Sequence, residues 1–402
     1  MPFFTILVSR PPLLQLILIT VVGHIALTGA RVTTSLYALS LHASAFRVGT
    51  LIALFALLPM LFAVGIGRLV DRVGIARPIL VGGVVMTLGC TLPALVPGLA
   101  VLYPAVALIG IGFTGLHVAT LHAVGATSTE ANRASRFSWL GTGYSVSSFS
   151  GPVLAGLVID HLQQGRGYAA AFAVSALFPI VAMAMSACAP VARLKLAAGT
   201  PHQGGSALHL LRDRPLRNIY AVGVLLGGAW DLFMFAIPIQ SAQMGLSASS
   251  TGLILGAFAS ATFVVRLGMQ WIARVLGPWQ IITLALCVAV LCYGALPLLH
   301  SAPSLTMLSV LLGLALGSSQ PNMLALLHRC APPGRAGEAI GIRVTISNAS
   351  QVVLPLAFGA AGATLGLFAV FWCTGALIAT GVPLAWRQAR RAATLMEATD
   401  EP

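Results

Sequence analysis

The sequence predicts an all-α membrane protein in which twelve transmembrane helices form two pseudo-symmetric halves of six helices each. Three observations carry this prediction: the apolar composition, the length of the apolar runs and the placement of the charges. Of the 402 residues, 58% are hydrophobic and only 8% are charged, and the mean hydropathy is +0.94. A water-soluble chain of this length would expose many more charged side chains.

Apolar runs long enough to cross a bilayer, which takes about 20 residues, recur along the whole chain. The longest polar connection divides the chain into an N-terminal half (1–191), a cytoplasmic linker (192–217) and a C-terminal half with a short cytoplasmic tail (218–402). The predicted spans are residues 13–40, 46–70, 78–98, 100–125, 137–160, 168–191, 218–240, 250–273, 278–299, 303–327, 338–363 and 365–387.

The basic residues are distributed asymmetrically, as in membrane proteins whose cytoplasmic loops are rich in lysine and arginine. With both termini in the cytoplasm, only Arg47 and Arg166 of the 22 Lys and Arg residues face the other side, while Arg31, Arg266 and Arg343 lie within spans. We therefore expect an integral membrane protein, located in a bacterial inner membrane. The net charge of +13 is dispersed between apolar runs, so nucleic acid is not an expected partner.

Two landmarks repeat at one separation along the chain. Gly74 and Gly277 follow equivalent spans and are 203 residues apart, and Pro152 and Pro355 are separated by the same 203 residues. A single offset shared by independent landmarks indicates that the two halves are repeats of parallel orientation.

A charged turn joins the second and third spans, and residues 67–77 read GRLVDRVGIAR. The pattern G-x-x-x-D-R-x-G resembles the loop between helices two and three of the major facilitator superfamily of transporters. Ile75 and Ala76 stand where that family usually carries basic residues, and Arg77 is the nearest charge. Residues 143–156 similarly resemble the glycine/proline motif of helix five in the family's drug–proton antiporters.

These two motifs supply the expected conformational residues. Glycines let membrane helices pack closely, a carboxylate accepts hydrogen bonds from a neighbouring helix N-terminus, and arginines hold the turn on the cytoplasmic side. In the helix-five motif, Ser147 and Ala155 replace glycines of the fuller pattern. The expected gating residues are Gly67, Asp71, Arg72, Gly74, Arg77, Gly151 and Pro152.

Asp231 is the acid that the sequence places well inside a span, directly after Trp230. A carboxyl group at that depth is costly, so it usually faces a cavity and often relays protons. We expect its protonation to be linked to a conformational change. A purely structural pair between Asp231 and an arginine across the bundle is the open alternative.

The first span carries a polar stripe that includes His24, Thr28 and Arg31 on one helix face, which should turn away from lipid. Helices one, four, seven and ten line the central cavity in the family that this chain resembles. Arg266 and Arg343 lie in the cytoplasmic half of the bundle, where they floor the cavity or hydrogen-bond cytoplasmic helix ends; for Arg343, close to Glu338, the second role is expected. The expected substrate-binding residues are His24, Thr28, Arg31, His117, Trp230, Asp231, Arg266, Gln320 and Asn322.

The role of Arg31 has three readings. It pairs with Asp231 as the counter-ion in proton coupling, it binds a substrate carboxylate through its planar fork, or it serves packing alone. His117 and His122 are five residues apart, about 140° around a helix, so they are not expected to share a metal ion.

No cofactor is expected, and the proton gradient is the expected energy source. The chain contains no P-loop, no nucleophile elbow and no HExxH sequence, so neither ATP use nor an enzyme is predicted. The expected partners are a small-molecule substrate, protons and the lipid bilayer, and the expected oligomeric state is a monomer.

The resemblance implies secondary active transport by alternating access. Arginines outnumber acids within the predicted spans, which favours an anionic or zwitterionic organic solute. The helix-five motif instead favours a multidrug/proton antiporter that exports lipophilic compounds. Two alternatives from other classes are a transporter-like membrane receptor, which would need a sizeable soluble extension, and an intramembrane enzyme, which would need paired catalytic residues.

Overall fold

The computed structural model describes residues 12–127, 130–162, 166–188, 207–332 and 336–400. The first half contains α1 (Pro12–Ser40), α2 (Ala45–Val73), α3 (Ala76–Leu95), α4 (Leu99–Thr127), α5 (Glu130–His161) and α6 (Arg166–Cys188). The second half contains α7 (Ala207–Arg212), α8 (Arg214–Gln243), α9 (Ala248–Ile272), α10 (Pro278–Ala295), α11 (Ala302–Cys330), α12 (Ala336–Leu365), α13 (Leu367–Ala379) and α14 (Gly381–Asp400).

Each predicted span coincides with a helix, except that the last span is formed by α13 and α14 in succession. The predicted fold class is therefore confirmed. Eleven spans in the described ranges are long and apolar enough to cross a membrane. The exception is α5, whose 32 residues are long enough but rich in serine and glycine. Of the predicted linker, residues 192–206 lie outside the described ranges, and its remainder forms α7 and the start of α8.

The repeat seen in the sequence is also a repeat of helix ends. α2 and α9 begin 203 residues apart, at Ala45 and Ala248. The first residues of α4 and α11 are also 203 residues apart, and so are the last residues of α1 and α8. Ser44 and Ser247, which precede α2 and α9, both accept a hydrogen bond from the backbone N–H three residues further on, over 3.4 and 3.1 Å. The two halves therefore share one register.

The helices group into two compact units. Unit one comprises Met1–Thr200 and Pro238–Gly256, and unit two comprises Pro201–Ile237 and Ala257–Pro402. Within unit one, α1 packs against α5 and α6, and α4 packs against α2 and α3. Within unit two, α10 packs against α11, α13 and α14.

α3 and α4 approach closely because both carry glycine at their crossing. A Cβ atom at Gly82 would lie 2.5 Å from the carbonyl oxygen of Gly112, and a Cβ atom at Gly112 would lie 2.6 Å from that of Gly82. Small residues permit such backbone contact between membrane helices. No larger side chain fits at this crossing without a shift of the backbone.

The start of α9 is held by α5 within unit one. The carboxylate of Asp160 accepts hydrogen bonds from the backbone N–H groups of Ala248 (3.1 Å) and Ser249 (2.7 Å). One turn earlier, a Cβ atom at Gly156 would collide with the carbonyl oxygen of Ala248. The first N–H groups of a helix lack partners within the helix, so Asp160 satisfies them and its charge favours the helix dipole.

Replacement of Asp160 by Ala should lower the thermal unfolding midpoint of the detergent-purified protein. The expected loss is about 1 kcal/mol, the usual cost of removing a helix N-cap acceptor. The matched control is Asp160→Asn, which keeps one acceptor oxygen and should lose less. Equal midpoints for wild type and Asp160→Ala would show that this cap contributes nothing to stability.

Candidate functional site

α1 and α5 cross at a pair of glycines. A Cβ atom at Gly151 would overlap the hydroxyl of Thr28 and lie 2.8 Å from the carbonyl oxygen of Ile25. A Cβ atom at Gly29 would in turn lie 3.2 Å from the carbonyl oxygen of Gly151. The helix-five motif therefore packs closely at Gly151, while the gating role of Gly151 and Pro152 stays a prediction.

This crossing brings polar groups of the two helices into contact. The Thr28 hydroxyl donates to the backbone carbonyl of Ser147 over 3.0 Å. Nδ1 of His24 lies 2.6 Å from Oγ of Ser147, and Ser147 is fully buried. Ser147 stands where the fuller motif has glycine, so this chain uses the position for a hydrogen bond that glycine cannot make.

α4 adds a second histidine to the same place. Nδ1 of His117 lies 2.5 Å from the phenol oxygen of Tyr144 on α5. The Tyr144 ring also meets His24 edge-on, with ring centroids 4.9 Å apart. Phe113 lies 5.4 Å from each histidine ring. We call His24, Phe113, His117, Tyr144 and Ser147 the histidine cluster.

The sequence identified His24 and His117 as site residues but missed Phe113, Tyr144 and Ser147. Tyr144 and Ser147 are three residues apart, and therefore on one face of α5. That spacing is a usable signal, but it does not say which helix the face meets.

The histidine cluster can bind a solute or pass a proton. A neutral imidazole donates through one nitrogen and accepts through the other. The aromatic rings add flat faces on which another ring can stack. In the described part of the chain, no group of three His, Cys, Asp or Glu side chains is placed to hold a metal ion.

Arg31 lies two helical turns beyond His24 on α1. It is partly buried, and its guanidinium carbon lies 5.9 Å from the centre of the Phe55 ring, a cation–π distance. The predicted pairing of Arg31 with Asp231 would join the two units and stays a prediction.

The remaining predicted site residues belong to unit two. Asp231 is partly buried in α8, and the neighbouring Trp230 ring meets Phe258 edge-on at 4.6 Å. Gln320 of α11 accepts a hydrogen bond of 3.0 Å from Nη1 of Arg343, which lies on α12. Arg343 was expected to floor the cavity or to bond a cytoplasmic helix end, and both roles stay predictions.

The two other predicted site residues of unit two, Asn322 and Arg266, are buried or partly buried among neighbouring helices. The Asn322 amide is buried and donates to the carbonyl oxygen of Ser318 (2.8 Å) and to the sulfur of Met269 (3.4 Å). Arg266 is partly buried on α9. The binding roles expected of Asn322 and Arg266 stay predictions.

The turn between α2 and α3 holds the expected gating residues of the first motif. Gly74 ends α2 with φ +81°, a conformation that favours glycine. A Cβ atom at Gly67 would meet nothing within 4 Å, and the gating role expected of Gly67 stays a prediction. Arg72 and Arg77 are exposed, and the Asp71 side chain lies outside the described atoms.

A bundle of membrane-spanning helices in two repeated halves, with a polar cluster inside the spans, defines a membrane transport protein. The chain belongs to the Major Facilitator Superfamily, whose family model matches residues 16–355. It is therefore an integral membrane protein that handles a small-molecule substrate. Its family and relatives are transporters and not enzymes.

Several curated relatives are transporters or resistance proteins. The chain is 26% identical over 359 residues to the class G tetracycline resistance protein of Vibrio anguillarum, covering 82% of this chain and 84% of the relative. It is 34% identical over 110 residues to the class B tetracycline resistance protein of Escherichia coli, 27% of each chain. It is 29% identical over 176 residues to the 3-(3-hydroxy-phenyl)propionate transporter of E. coli K12, 42% of this chain and 39% of the relative.

Solved structures share the fold at low sequence identity. A POT family transporter in complex with 5-aminolevulinic acid superposes with a TM-score of 0.78 at 11% identity, covering 94% of this chain and 96% of the other. A bacterial homologue of the human lysosomal transporter Spinster superposes with a TM-score of 0.75 at 14% identity, covering 95% and 98%. These similarities concern the fold alone.

Replacement of Gly151 by Ala should destabilise the α1–α5 crossing, because the new methyl group collides with Thr28. Overpacking of this kind costs about 1–3 kcal/mol, measured as a lower thermal unfolding midpoint. The control is Gly141→Ala on the same helix, where a Cβ atom meets nothing within 4 Å. If both variants unfold at the same temperature, the crossing is not tight in solution.

Replacement of Ser147 by Ala should weaken substrate binding, because it removes the hydroxyl that contacts His24. We expect an affinity loss of about fivefold, corresponding to one net hydrogen bond of about 1 kcal/mol. Ser150→Ala is the control, since in the described part of the chain the Ser150 hydroxyl donates to the carbonyl oxygen of Val146 within α5 itself. Isothermal titration with a ligand that stabilises the wild-type protein measures the affinity of both variants. An unchanged affinity in Ser147→Ala argues against a role for the histidine cluster in binding.

Proposed function

We propose that this protein is a secondary active transporter that moves a small organic anion or zwitterion across a bacterial inner membrane, with both of its termini in the cytoplasm. Transport proceeds by alternating access and is coupled to protons. The observation that carries the proposal is the placement of Arg31 and the histidine cluster on α1, α4 and α5 of one compact unit.

The substrate class follows from the groups that this unit offers. The guanidinium of Arg31 matches a carboxylate in shape and charge. His24 and Tyr144 offer hydrogen bonds, and their rings with that of Phe113 offer faces for a flat body. A ring-bearing carboxylate satisfies both requirements. The relative that carries 3-(3-hydroxy-phenyl)propionate, a molecule with a ring and a carboxylate, supports this class.

The repeat supports a site role for unit two. At the 203-residue offset, Asp231 occupies the position of Thr28, and Gln320 occupies the position of His117. The side chains of Thr28 and His117 both contact α5 in unit one, as that of His24 does. Asp231 and Gln320 are therefore placed, by the repeat, where unit one has its own polar contacts. Trp230, Arg266 and Asn322 complete the proposed lining.

Proton coupling is assigned to Asp231, with Arg31 as its counter-ion or as the anion ligand. Protonation of Asp231 removes a negative charge, and anion binding at Arg31 neutralises a positive one. Either event weakens an attraction between the two residues, which biases the balance between conformations. The α2–α3 turn with Gly67, Asp71, Arg72, Gly74 and Arg77 is the proposed site at which that change is controlled.

A second candidate is a multidrug/proton antiporter that exports lipophilic compounds. The class G tetracycline resistance protein supports it, because that similarity extends over 82% of this chain. The close-packed segment at Gly151 and Pro152 supports it as well. The two candidates differ in the charge that the site selects.

Thermal unfolding against a panel of aromatic carboxylates, zwitterions, sugars and lipophilic cations distinguishes them, since a ligand that binds the folded state raises the midpoint. We expect aromatic carboxylates to stabilise the wild type and Arg31→Ala to weaken their affinity at least tenfold. Arg47→Ala removes an exposed arginine near the start of α2 and is the control. Stabilisation by lipophilic cations alone would instead establish the export candidate.

The same ligand tests proton coupling in liposomes that contain a pH-sensitive dye. Wild-type protein should move protons when the ligand is added, and Asp231→Asn should bind the ligand but lose the proton signal. A proton signal of wild-type size in Asp231→Asn would remove Asp231 from the coupling mechanism.

A further inference from the structure

A cavity lies on unit one at the junction of α2, α3 and α4. Its volume is 460 Å³, within the range of about 300–1,000 Å³ that is usual for small-molecule pockets. The lining is apolar apart from Arg77. We call this cavity the α2–α4 groove. It includes none of the residues of the histidine cluster.

Glycines form the floor of the groove. Gly82, Gly112 and Gly115 line it at the α3–α4 crossing, where the backbones themselves are the surface. Gly65 on α2 also lines it, and a Cβ atom at Gly65 would meet nothing within 4 Å. The cavity therefore exists because side chains are missing from three helices at one place.

The rim of the groove faces outward. The lining residues Phe62, Leu69 and Val81 are 51%, 48% and 63% exposed. On a membrane-spanning helix, such apolar and exposed side chains meet lipid. The lining on α2 extends from Phe62 to Val73, about 16 Å of helix. This length is close to the depth of one leaflet, which is half of a hydrocarbon core of about 30 Å.

One end of the groove is basic. Arg77 lines it at the α2–α3 turn, and Arg68 and Arg72 are exposed in the last turns of α2. Basic residues at the edge of a membrane attract anionic lipid headgroups. The groove thus combines an apolar channel of leaflet depth with a cation at the level where a phosphate sits.

The second half lacks these features at its equivalent positions. At the 203-residue offset, the three glycines of the α3–α4 crossing are replaced by residues with side chains, while Gly65 is matched by Gly268. The three arginines are also replaced, although that turn keeps Arg274. The counterparts of Gly82, Gly112 and Gly115 are Ala285, Ala315 and Ser318, and those of Arg68, Arg72 and Arg77 are Trp271, Val275 and Gln280. The glycine crossing at the floor of the groove and the arginines at its basic end are thus specific to the first half.

We infer that the α2–α4 groove binds one acyl chain of an anionic phospholipid, with the lipid phosphate at Arg77. A helix from another protein, about 10 Å across, is too wide for a cavity of 460 Å³ that follows 16 Å of helix. An extended hydrocarbon chain is narrow enough, and the basic end selects an anionic headgroup.

The test compares dioleoylphosphatidylglycerol with dioleoylphosphatidylcholine, which has the same chains and no net charge. Added to the detergent-purified protein, the anionic lipid should raise the unfolding midpoint saturably and with at least threefold higher apparent affinity. Arg77→Gln, which copies the second half, should abolish that preference. Equal affinities of the two lipids for the wild type would overturn the assignment of the phosphate to Arg77.

Gly65→Leu tests the chain site, because Gly65 lines the groove and a Cβ atom there meets nothing within 4 Å, so the new side chain extends into the groove. It should weaken binding of the anionic lipid at least threefold. Gly268→Leu is the matched control, since Gly268 is the repeat counterpart of Gly65 and a Cβ atom there also meets nothing within 4 Å. Unchanged binding in Gly65→Leu would place the lipid elsewhere.

A measurement on the wild type keeps the test valid should a variant fail to fold. Phosphatidylglycerol with a photoreactive group on its acyl chain is crosslinked to the protein in liposomes, and the adducts are mapped by mass spectrometry. We expect adducts at Phe62, Leu69 or Val81. Adducts confined to other helices would overturn the proposal. Displacement of the lipid by the transported substrate would also overturn it, because the groove would then be part of the substrate path.

Discussion

The crossing of α1 and α5 at Gly29 and Gly151 is the constraint on which the candidate site depends. Lipid supplies no hydrophobic force between helices, so close backbone contact and polar bonds have to hold them together. Here the two are combined, because the approach at Gly151 allows Thr28 to reach the carbonyl oxygen of Ser147. The same approach places the Ser147 hydroxyl against His24. Packing and chemistry therefore share one cause, and a larger residue at the crossing would disturb both.

The glycines of this protein have two opposite uses. At the α3–α4 crossing, Gly82 and Gly112 bring two backbones together. In unit two, the Thr262 hydroxyl of α9 donates to the carbonyl oxygen of Gly313 on α11 over 3.2 Å, at a similar contact. At Gly65 no neighbour fills the space, and the missing side chain leaves a cavity. A glycine in a membrane helix thus indicates a close approach only when a second helix is present at that level, which a single sequence does not show.

The sequence allowed the fold to be predicted almost completely, because span length and charge placement are constraints imposed by the membrane itself. It allowed the site to be predicted only in part. His24 and His117 could be selected because polar side chains within spans are costly. Tyr144 and Ser147 were missed because their role depends on which helix their face meets, and that is a tertiary property.

The repeat gives the two halves one register but different chemistry. The position of Thr28, a neutral hydroxyl, carries the acid Asp231 in the second half, and the position of His117 carries Gln320. Gln320 accepts its hydrogen bond from a cation, Arg343, whereas His117 meets the neutral phenol of Tyr144. Matched positions with unequal charge are what a transporter needs if one half is to sense a proton while the other holds the solute. In the proposed mechanism, the duplicated fold supplies the geometry, and the divergence of a few side chains supplies the division of roles.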